Sequence, residues 1–126
     1  MKRILILISL FFALWSTNVF AQAVLKFDKT THNYGKFTED KPVSCVFYFT
    51  NTGDEPLVIQ QVMTSCGCTV AKYTKDPVQP GKKGTINITY NGKGKTAGHF
   101  KKVVSVRSNA KNSLVRVYVE GTMTKD

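Results

Sequence analysis

From residue 24 onward, hydrophobic and polar residues alternate in short runs that are separated by Gly, Pro, Asn and Asp. A period of two turns one face of an extended strand toward a core and the other toward solvent. In the clearest run, residues 43–50, Cys45, Phe47 and Phe49 share one face. No helical period of useful length interrupts these runs. The pattern therefore predicts an all-β protein.

About seven such runs, with turn-forming residues between them, are typical of an immunoglobulin-like β-sandwich. We therefore predict one domain, residues 22–126, folded as a sandwich of about seven antiparallel strands. Alternation also indicates which residues face the interior. The predicted core consists of Phe47, Phe49, Ile59, Ile86, Ile88, Val104, Val106, Val117 and Val119.

The N-terminus has the pattern of a secretory signal peptide. Two basic residues precede an apolar run, residues 4–15, which is shorter than the roughly 20 residues of a membrane-spanning helix. Small residues follow at suitable spacing, so we predict a signal peptide at 1–21 with cleavage after Ala21 or after Ala23. We expect an exported protein, periplasmic or extracellular, with no membrane span in the mature chain.

The chain is strongly basic, with 18 basic and 8 acidic residues and a formal net charge of +10. Two of the basic residues belong to the predicted signal peptide. Such a charge favours anionic partners, although it also keeps an exported protein in solution. We predict a protein or a cell-envelope glycan as partner and no nucleic acid. The candidate anionic-partner patch consists of Lys93, Lys95, His99, Lys101 and Lys102; the alternative is a solvated loop.

Five short segments occur in order along the chain: Asn33–Gly35, Phe49–Ile59, Ser65–Thr69, Pro80–Gly81 and Ser108–Asn109. Together they resemble the exported bacterial family catalogued as domain of unknown function 1573, and the Ser-Cys-Gly-Cys-Thr element is the most specific of them. The Asn-Thr-Gly and Pro-Leu turn is also similar, more distantly, to Hydin-type immunoglobulin-like modules. The resemblance implies an exported β-sandwich, usually a single module, and no established activity.

Cys45 shares its face with core residues, so we predict a buried free thiol that behaves as a small hydrophobe. If the flanking runs form a hairpin around Gly53, Cys45 lies level with Val62. Cys66 is then about 13 Å further along the strand. A disulfide requires Cα atoms within about 7 Å. This register predicts no bridge from Cys45 to Cys66 or Cys68.

The Cys66-Gly67-Cys68 element is the candidate functional turn, and three interpretations remain open. In the first, the turn is structural, closed by a disulfide or serving as a contact element. In the second, it is a thiol-redox centre. In the third, it is a Cu(I) site completed by Met63, because sulfur ligands select Cu(I). A bridge across one residue closes a very short loop and adds little stability. No second Cys pair supports a structural zinc site.

Enzymatic chemistry has little support in the sequence. Neither histidine has a recognisable nucleophile context, and no carboxylate pair shares a strand face. We therefore predict no catalytic residues and no cofactor. The most economical hypothesis is an exported immunoglobulin-like binding or scaffold module of the bacterial cell envelope with an unknown partner. The alternative is a periplasmic thiol-redox or copper-handling protein that uses the Cys66-Gly67-Cys68 turn.

Overall fold

The computed structural model describes residues 21–126 with the exception of Cys66, and these residues form strands and no helix. The signal-peptide prediction lies outside the described residues. Eight strands follow in chain order: β1 (Leu25–Phe27), β2 (Thr31–Thr38), β3 (Val43–Asn51), β4 (Ile59–Thr64), β5 (Cys68–Tyr73), β6 (Lys83–Tyr90), β7 (Gly98–Ser108) and β8 (Leu114–Thr124).

The strands form two four-stranded sheets packed face to face. Sheet 1 has the order β1-β3-β6-β5 and sheet 2 the order β2-β8-β7-β4. The predicted immunoglobulin-like sandwich is confirmed. It has one strand more than the approximate seven, and one pairing departs from the expected direction: β2 runs parallel to β8, while the other strand pairs are antiparallel.

The predicted core is confirmed residue by residue. All nine predicted side chains are at most 4% exposed, and they contact one another between the two sheets. Period-two alternation explains this result, since β3, β6, β7 and β8 each place every second residue inside. Leu57 and Val78, which join across an isolated bridge, and Tyr90 extend the same core.

Asn51 is a fully buried polar residue at the end of β3, and its amide group is completely used. Its Nδ2 donates to the carbonyls of Glu55 (2.6 Å) and Val78 (2.9 Å). Its Oδ1 accepts from the backbone N–H groups of Gly53 (2.9 Å) and Val24 (3.3 Å). Because a buried amide is costly without partners, Asn51 fixes the turn that follows it.

The first described residues are part of this turn. The carbonyl of Gln22 accepts from Asp54 N (2.9 Å), and the carbonyl of Val24 accepts from Thr52 N (3.0 Å). The two backbones approach so closely that a Cβ on Gly53 would lie 2.1 Å from the Gln22 carbonyl oxygen. Only glycine fits at this position.

The predicted hairpin around Gly53 is wrong, because the turn carries the chain from one sheet to the other. β3 belongs to sheet 1, where Cys45 faces Ile88 of β6. β4 belongs to sheet 2, where Val62 faces Val106 of β7. Turn-forming residues bend the chain, but they do not determine whether the next strand pairs with the previous one or crosses to the opposite layer.

Candidate functional site: the cysteine turn and the outer face of sheet 2

The cysteine turn connects β4 of sheet 2 to β5 of sheet 1. The N–H of Cys68 donates to the carbonyl of Ser65 (3.0 Å), which closes a four-residue turn. Gly67 stands third in the turn with φ of +90°, a conformation that favours glycine. The carbonyl of Gly67 accepts from Asn91 N at the end of β6 (2.9 Å). The turn is therefore held to sheet 1 by its backbone.

Side chains hold the same turn to sheet 2. Ser65 Oγ donates to the carbonyl of Val103 on β7 (2.8 Å), and Thr64 Oγ1 donates to the carbonyl of Cys68 (3.1 Å). A Cβ on Gly67 would lie 2.8 Å from Cε2 of Tyr90, so the backbone rests directly on that ring. The turn is a fixed crossover between the two layers.

Cys45 is a buried thiol, as its position on the core-facing side of β3 predicted. It is 7% exposed and unbridged. The hydroxyl of Tyr34 donates to the carbonyl of Ile88 (3.0 Å) and contacts Cys45 Sγ at 3.5 Å. Burial raises the pKa of the Cys45 thiol, and the Tyr34 hydrogen bond partly offsets this effect. Burial likewise raises the pKa of Tyr34. Both groups are therefore neutral at physiological pH.

A bulge in β2 brings Tyr34 to this position. The N–H of Gly35 donates to Asn33 Oδ1 (2.7 Å), and Gly35 has φ of +73°. The register of β2 against β8 shifts between Asn33 and Lys36. The Asn-Tyr-Gly segment, singled out by the family resemblance, thus has a structural explanation: a bulge that re-aims one aromatic side chain.

Cys45 and Cys68 lie on opposite sides of β6. Cys45 faces Ile88, and Cys68 faces Tyr90. Two strand spacings separate them by about 10 Å, which exceeds the reach of a disulfide. Cys45 and Cys68 are therefore not bridged, as predicted, although the hairpin register on which that prediction was based is wrong. Cys66 lies outside the described residues, so its pairing with Cys68 stays a prediction.

The structure separates two members of the candidate copper set. Cys68 is buried at 9% exposure, whereas Met63 is 37% exposed on β4. Met63 follows the partly buried Val62 on a strand whose side chains alternate, so it lies on the outer face of sheet 2. Within residues 21–126 without Cys66, no three His, Cys, Asp or Glu side chains cluster as metal ligands.

The predicted anionic-partner patch is divided among three places. Lys93 and Lys95 lie in the loop between β6 and β7. Lys101 and His99 lie on the outer face of sheet 2, where Lys101 Nζ is 5.1 Å from the Tyr118 ring centroid. Lys102 is on the opposite side of β7 by alternation and is half-buried.

The outer face of sheet 2 gathers cations and apolar side chains from three strands. Across β7 and β8, Arg107 is paired with Leu114, Ser105 with Arg116, Val103 with Tyr118, Lys101 with Glu120, and His99 with Thr122. On the other side of β7, Gln61 and Met63 of β4 are paired with Arg107 and Ser105. We call this surface the basic face; it comprises Gln61, Met63, His99, Lys101, Val103, Ser105, Arg107, Leu114, Arg116, Tyr118, Glu120 and Thr122.

Positive charge predominates on the basic face. The face has three cationic side chains, Lys101, Arg107 and Arg116, and one carboxylate, Glu120. That carboxylate lies 3.7 Å from His99 Nε2. Apolar side chains lie among them, with Leu114 and Met63 40% and 37% exposed. Arginine, tyrosine and methionine are enriched where proteins contact one another.

The predicted anionic-partner patch did not include Arg107 or Arg116. Their outward positions follow from alternation, since Arg107 lies between Val106 and Ser108, and Arg116 lies between Val115 and Val117. The missing information was the pairing of β7 with β8 and β4, which brings residues distant in sequence onto one surface.

Comparison with known proteins gives a family and a fold. A family model described as "Protein of unknown function (DUF1573)" matches residues 25–123. No curated protein matches the chain in sequence. Along the part of the chain that the structure describes, no helix is long and apolar enough to cross a membrane.

Solved structures share the sandwich at low sequence identity. A protein of unknown function from Porphyromonas gingivalis W83 superimposes with a TM-score of 0.70 at 18% identity, covering 84% of this chain and 50% of that chain. The chain therefore spans half the length of that protein. The PapD-like domain 7 of human CEP192 gives 0.68 at 7%, covering 88% and 92%. The E. coli chaperone DraB gives 0.58 at 10%, covering 82% and 56%. These similarities establish the fold alone.

Proposed function

The chain belongs to the DUF1573 family, and on that premise we propose that it is a non-enzymatic, exported binding module of the bacterial cell envelope. It binds an anionic protein partner through the basic face. The observation that carries this proposal is the arrangement of Lys101, Arg107 and Arg116 around the exposed side chains of Met63 and Leu114.

A protein partner fits this surface better than a glycan does. A surface for an anionic glycan needs cations and hydrogen-bonding groups, but the exposed aliphatic side chains of Met63 and Leu114 offer neither. Burying them against a partner stabilises the complex by about 25 cal/mol for each Å² of apolar area removed from water. The surrounding cations then select an acidic partner and speed its association.

The cysteine turn has a structural role in this proposal. Its hydrogen bonds to Asn91 on one side and to Val103 on the other tie the two sheets together at the edge formed by β4 and β5. A disulfide between Cys66 and Cys68 would add a local covalent constraint to a crossover that is already fixed. This arrangement favours a closing disulfide over a redox or copper centre.

The test is recovery of partners from envelope extract on immobilised protein with a charge-reversed basic face. The variant carries Lys101→Glu and Arg116→Glu, and a matched control carries Lys26→Glu and Lys72→Glu. The control residues are exposed at the edges of sheet 1, so both variants change the net charge equally. We expect the wild type and the control to retain the same acidic proteins and the face variant to lose them.

Three results would contradict the proposal. Equal loss of partners in both variants would mean that binding follows net charge and not the basic face. Retention by the face variant would mean that the partner binds elsewhere. Recovery of a glycan that survives protease treatment would replace the protein partner with a carbohydrate.

A further inference from the structure

The basic face ends at an exposed strand edge, and this edge differs from the other three. β1 has only three residues and includes Lys26, β2 carries Lys36, and β5 carries Lys72. Short length and charged residues are the usual means by which proteins keep strand edges from pairing with other chains. These three edges are protected in that way.

β4 has no such charge. No charged residue occurs between Glu55 and Lys72, which is the longest uncharged stretch of residues 21–126. β4 is the terminal strand of sheet 2 and pairs only with β7 there. One bulge lies at its start, between Ile59 and Gln61, and leaves 61–64 in regular register with β7. The uncharged edge is therefore regular where it adjoins the cysteine turn.

The edge and the basic face form one continuous surface. Gln61 and Met63 of β4 belong to the face, and their neighbours across the strand pair are Arg107 and Ser105. A strand added beside β4 would continue sheet 2, and every second side chain of it would stand on the same face. The long side chain of Arg107 can cross over Gln61 to reach a carboxylate on the added strand.

The charge of the face decides which chain can add there. In a second copy of this protein, pairing of two β4 edges would bring the Arg107 and Arg116 side chains of both copies onto one continuous face, where like charges repel. An acidic segment meets complementary charge instead. We infer that an extended acidic peptide segment of another protein adds to sheet 2 as a fifth strand alongside β4, with a carboxylate at Arg107 and with Lys101 and Arg116 contributing to the positive charge that attracts it.

This inference rests on the proposed function and specifies how the partner binds. The test starts from short linear peptides selected from a displayed random library on the purified protein. We expect the selected peptides to be acidic, with carboxylates at every second position. In the complex, the backbone amides of 61–64 that point away from β7 should exchange with solvent at least about tenfold more slowly, while amides of the β1 and β5 edges stay unchanged.

Backbone methylation of the selected peptide separates strand pairing from side-chain binding. Alternate amides of an added strand point toward β4 and away from it. Methylation of one set should therefore weaken binding at least about tenfold, and methylation of the other set should leave it unchanged. Charge reversal at Arg107 should also weaken binding, whereas charge reversal at Lys72 should not.

Each other outcome has a defined meaning. Peptides that lose affinity for the Lys101→Glu, Arg116→Glu protein, tolerate both methylation sets and leave β4 amides unprotected would overturn strand addition and leave the proposed function intact. Peptides that are indifferent to that variant would overturn both. Neutral or basic selected peptides would overturn the inference. So would a concentration-dependent dimer of the protein alone with protected β4 amides, which would identify a second copy as the occupant.

Discussion

The two sheets cover the same core but present different surfaces to solvent. On sheet 1, outward hydroxyl-bearing residues face each other between β3 and β6: the Ser44 and Thr89 hydroxyls are 2.9 Å apart, and Tyr48 faces Thr85. On sheet 2, the equivalent outward positions hold Lys101, Arg107 and Arg116 with apolar side chains between them.

The two outer faces differ in the balance of their charges. The Ser44 and Thr89 hydroxyls of sheet 1 bond to each other, while Tyr48 and Val46 remain 50% and 39% exposed. Cations of sheet 2 have one carboxylate among them and therefore attract anions from outside. Inward residues alternate with outward ones in the same way in β3 and β6 of sheet 1 and in β7 and β8 of sheet 2, so the two sheets differ in their outward residues.

The largest expected effect on stability comes from a change in the core that the two sheets share. Phe47→Ala should lower the free energy of unfolding by about 3–5 kcal/mol, because a buried ring leaves a cavity. Tyr48→Ala, the neighbouring and outward residue, is the control and should cost less than about 1 kcal/mol. Denaturant unfolding monitored by circular dichroism measures both. Equal costs would mean that β3 does not alternate as described.

Asn51→Ala should cost about 1–3 kcal/mol in unfolding free energy, because carbonyls of Glu55 and Val78 lose their buried donor. Asn87→Ala on the outer face of sheet 1 is the matched control, and we expect little change there. A harmless Asn51→Ala would show that water replaces the lost amide. A costly Asn51→Ala beside a harmless Asn87→Ala would instead show that buried polar groups stabilise the core under both sheets and that exposed ones do not.

If a disulfide joins Cys66 to Cys68, reductant should lower the unfolding free energy of the wild type by about 1–2 kcal/mol. The Cys66→Ser protein should be equally destabilised and insensitive to reductant. Thermal unfolding with and without dithiothreitol makes the measurement. An unchanged wild type would refute the closing disulfide, and tight Cu(I) binding lost on Met63→Ala would restore the copper alternative.

Tyr34→Phe should lower the free energy of unfolding by about 0.5–1.5 kcal/mol, because the Ile88 carbonyl loses a hydrogen-bond donor.

Cys45 should resist alkylation in the folded wild type and react after unfolding. Since its pKa is raised on folding, the unfolded chain loses the thiol proton first as pH rises above about 8.5. Stability should therefore fall above that pH in the wild type and fall less in Cys45→Ala; fast alkylation of folded protein would exclude a buried thiol.

The smallest effect on stability should come from the basic face itself. Lys101→Gln with Arg116→Gln should change the unfolding free energy by less than about 0.5 kcal/mol, because the side chains are outward and the Lys101–Tyr118 contact is weak at a solvent-facing site. Partner binding should nevertheless be lost. A large destabilisation would show that the cations help to hold sheet 2 together.

Alternation made the core predictable, because it needs only neighbouring residues. Phe47, Ile88 and Val104 could each be assigned inward without knowing which strand lies beside which. Long-range pairing could not be obtained in this way. The parallel pairing of β2 with β8 joins residues such as Asn33 and Glu120 across most of the chain, and nothing in either strand alone favours that direction.

The candidate site was predictable only in part for the same reason. The Ser-Cys-Gly-Cys-Thr turn was visible as a local motif. The basic face depends on Arg107 lying between Leu114 and Gln61. Leu114 follows across the short turn between β7 and β8, but Gln61 is 46 residues away in sequence. The predicted patch grouped Lys101 with Lys102 because they are adjacent in the chain, whereas alternation in β7 places them on opposite sides.

The close approach of Gln22 and Val24 to Gly53 has a practical consequence for handling the protein. Any segment attached just before Gln22 begins at a backbone that is already hydrogen-bonded into the turn after β3, and Ala23 is only 3% exposed. Asp126, by contrast, is exposed. An affinity tag, fluorophore or surface tether attached after Asp126 therefore leaves the Asn51 network and the β4 edge undisturbed.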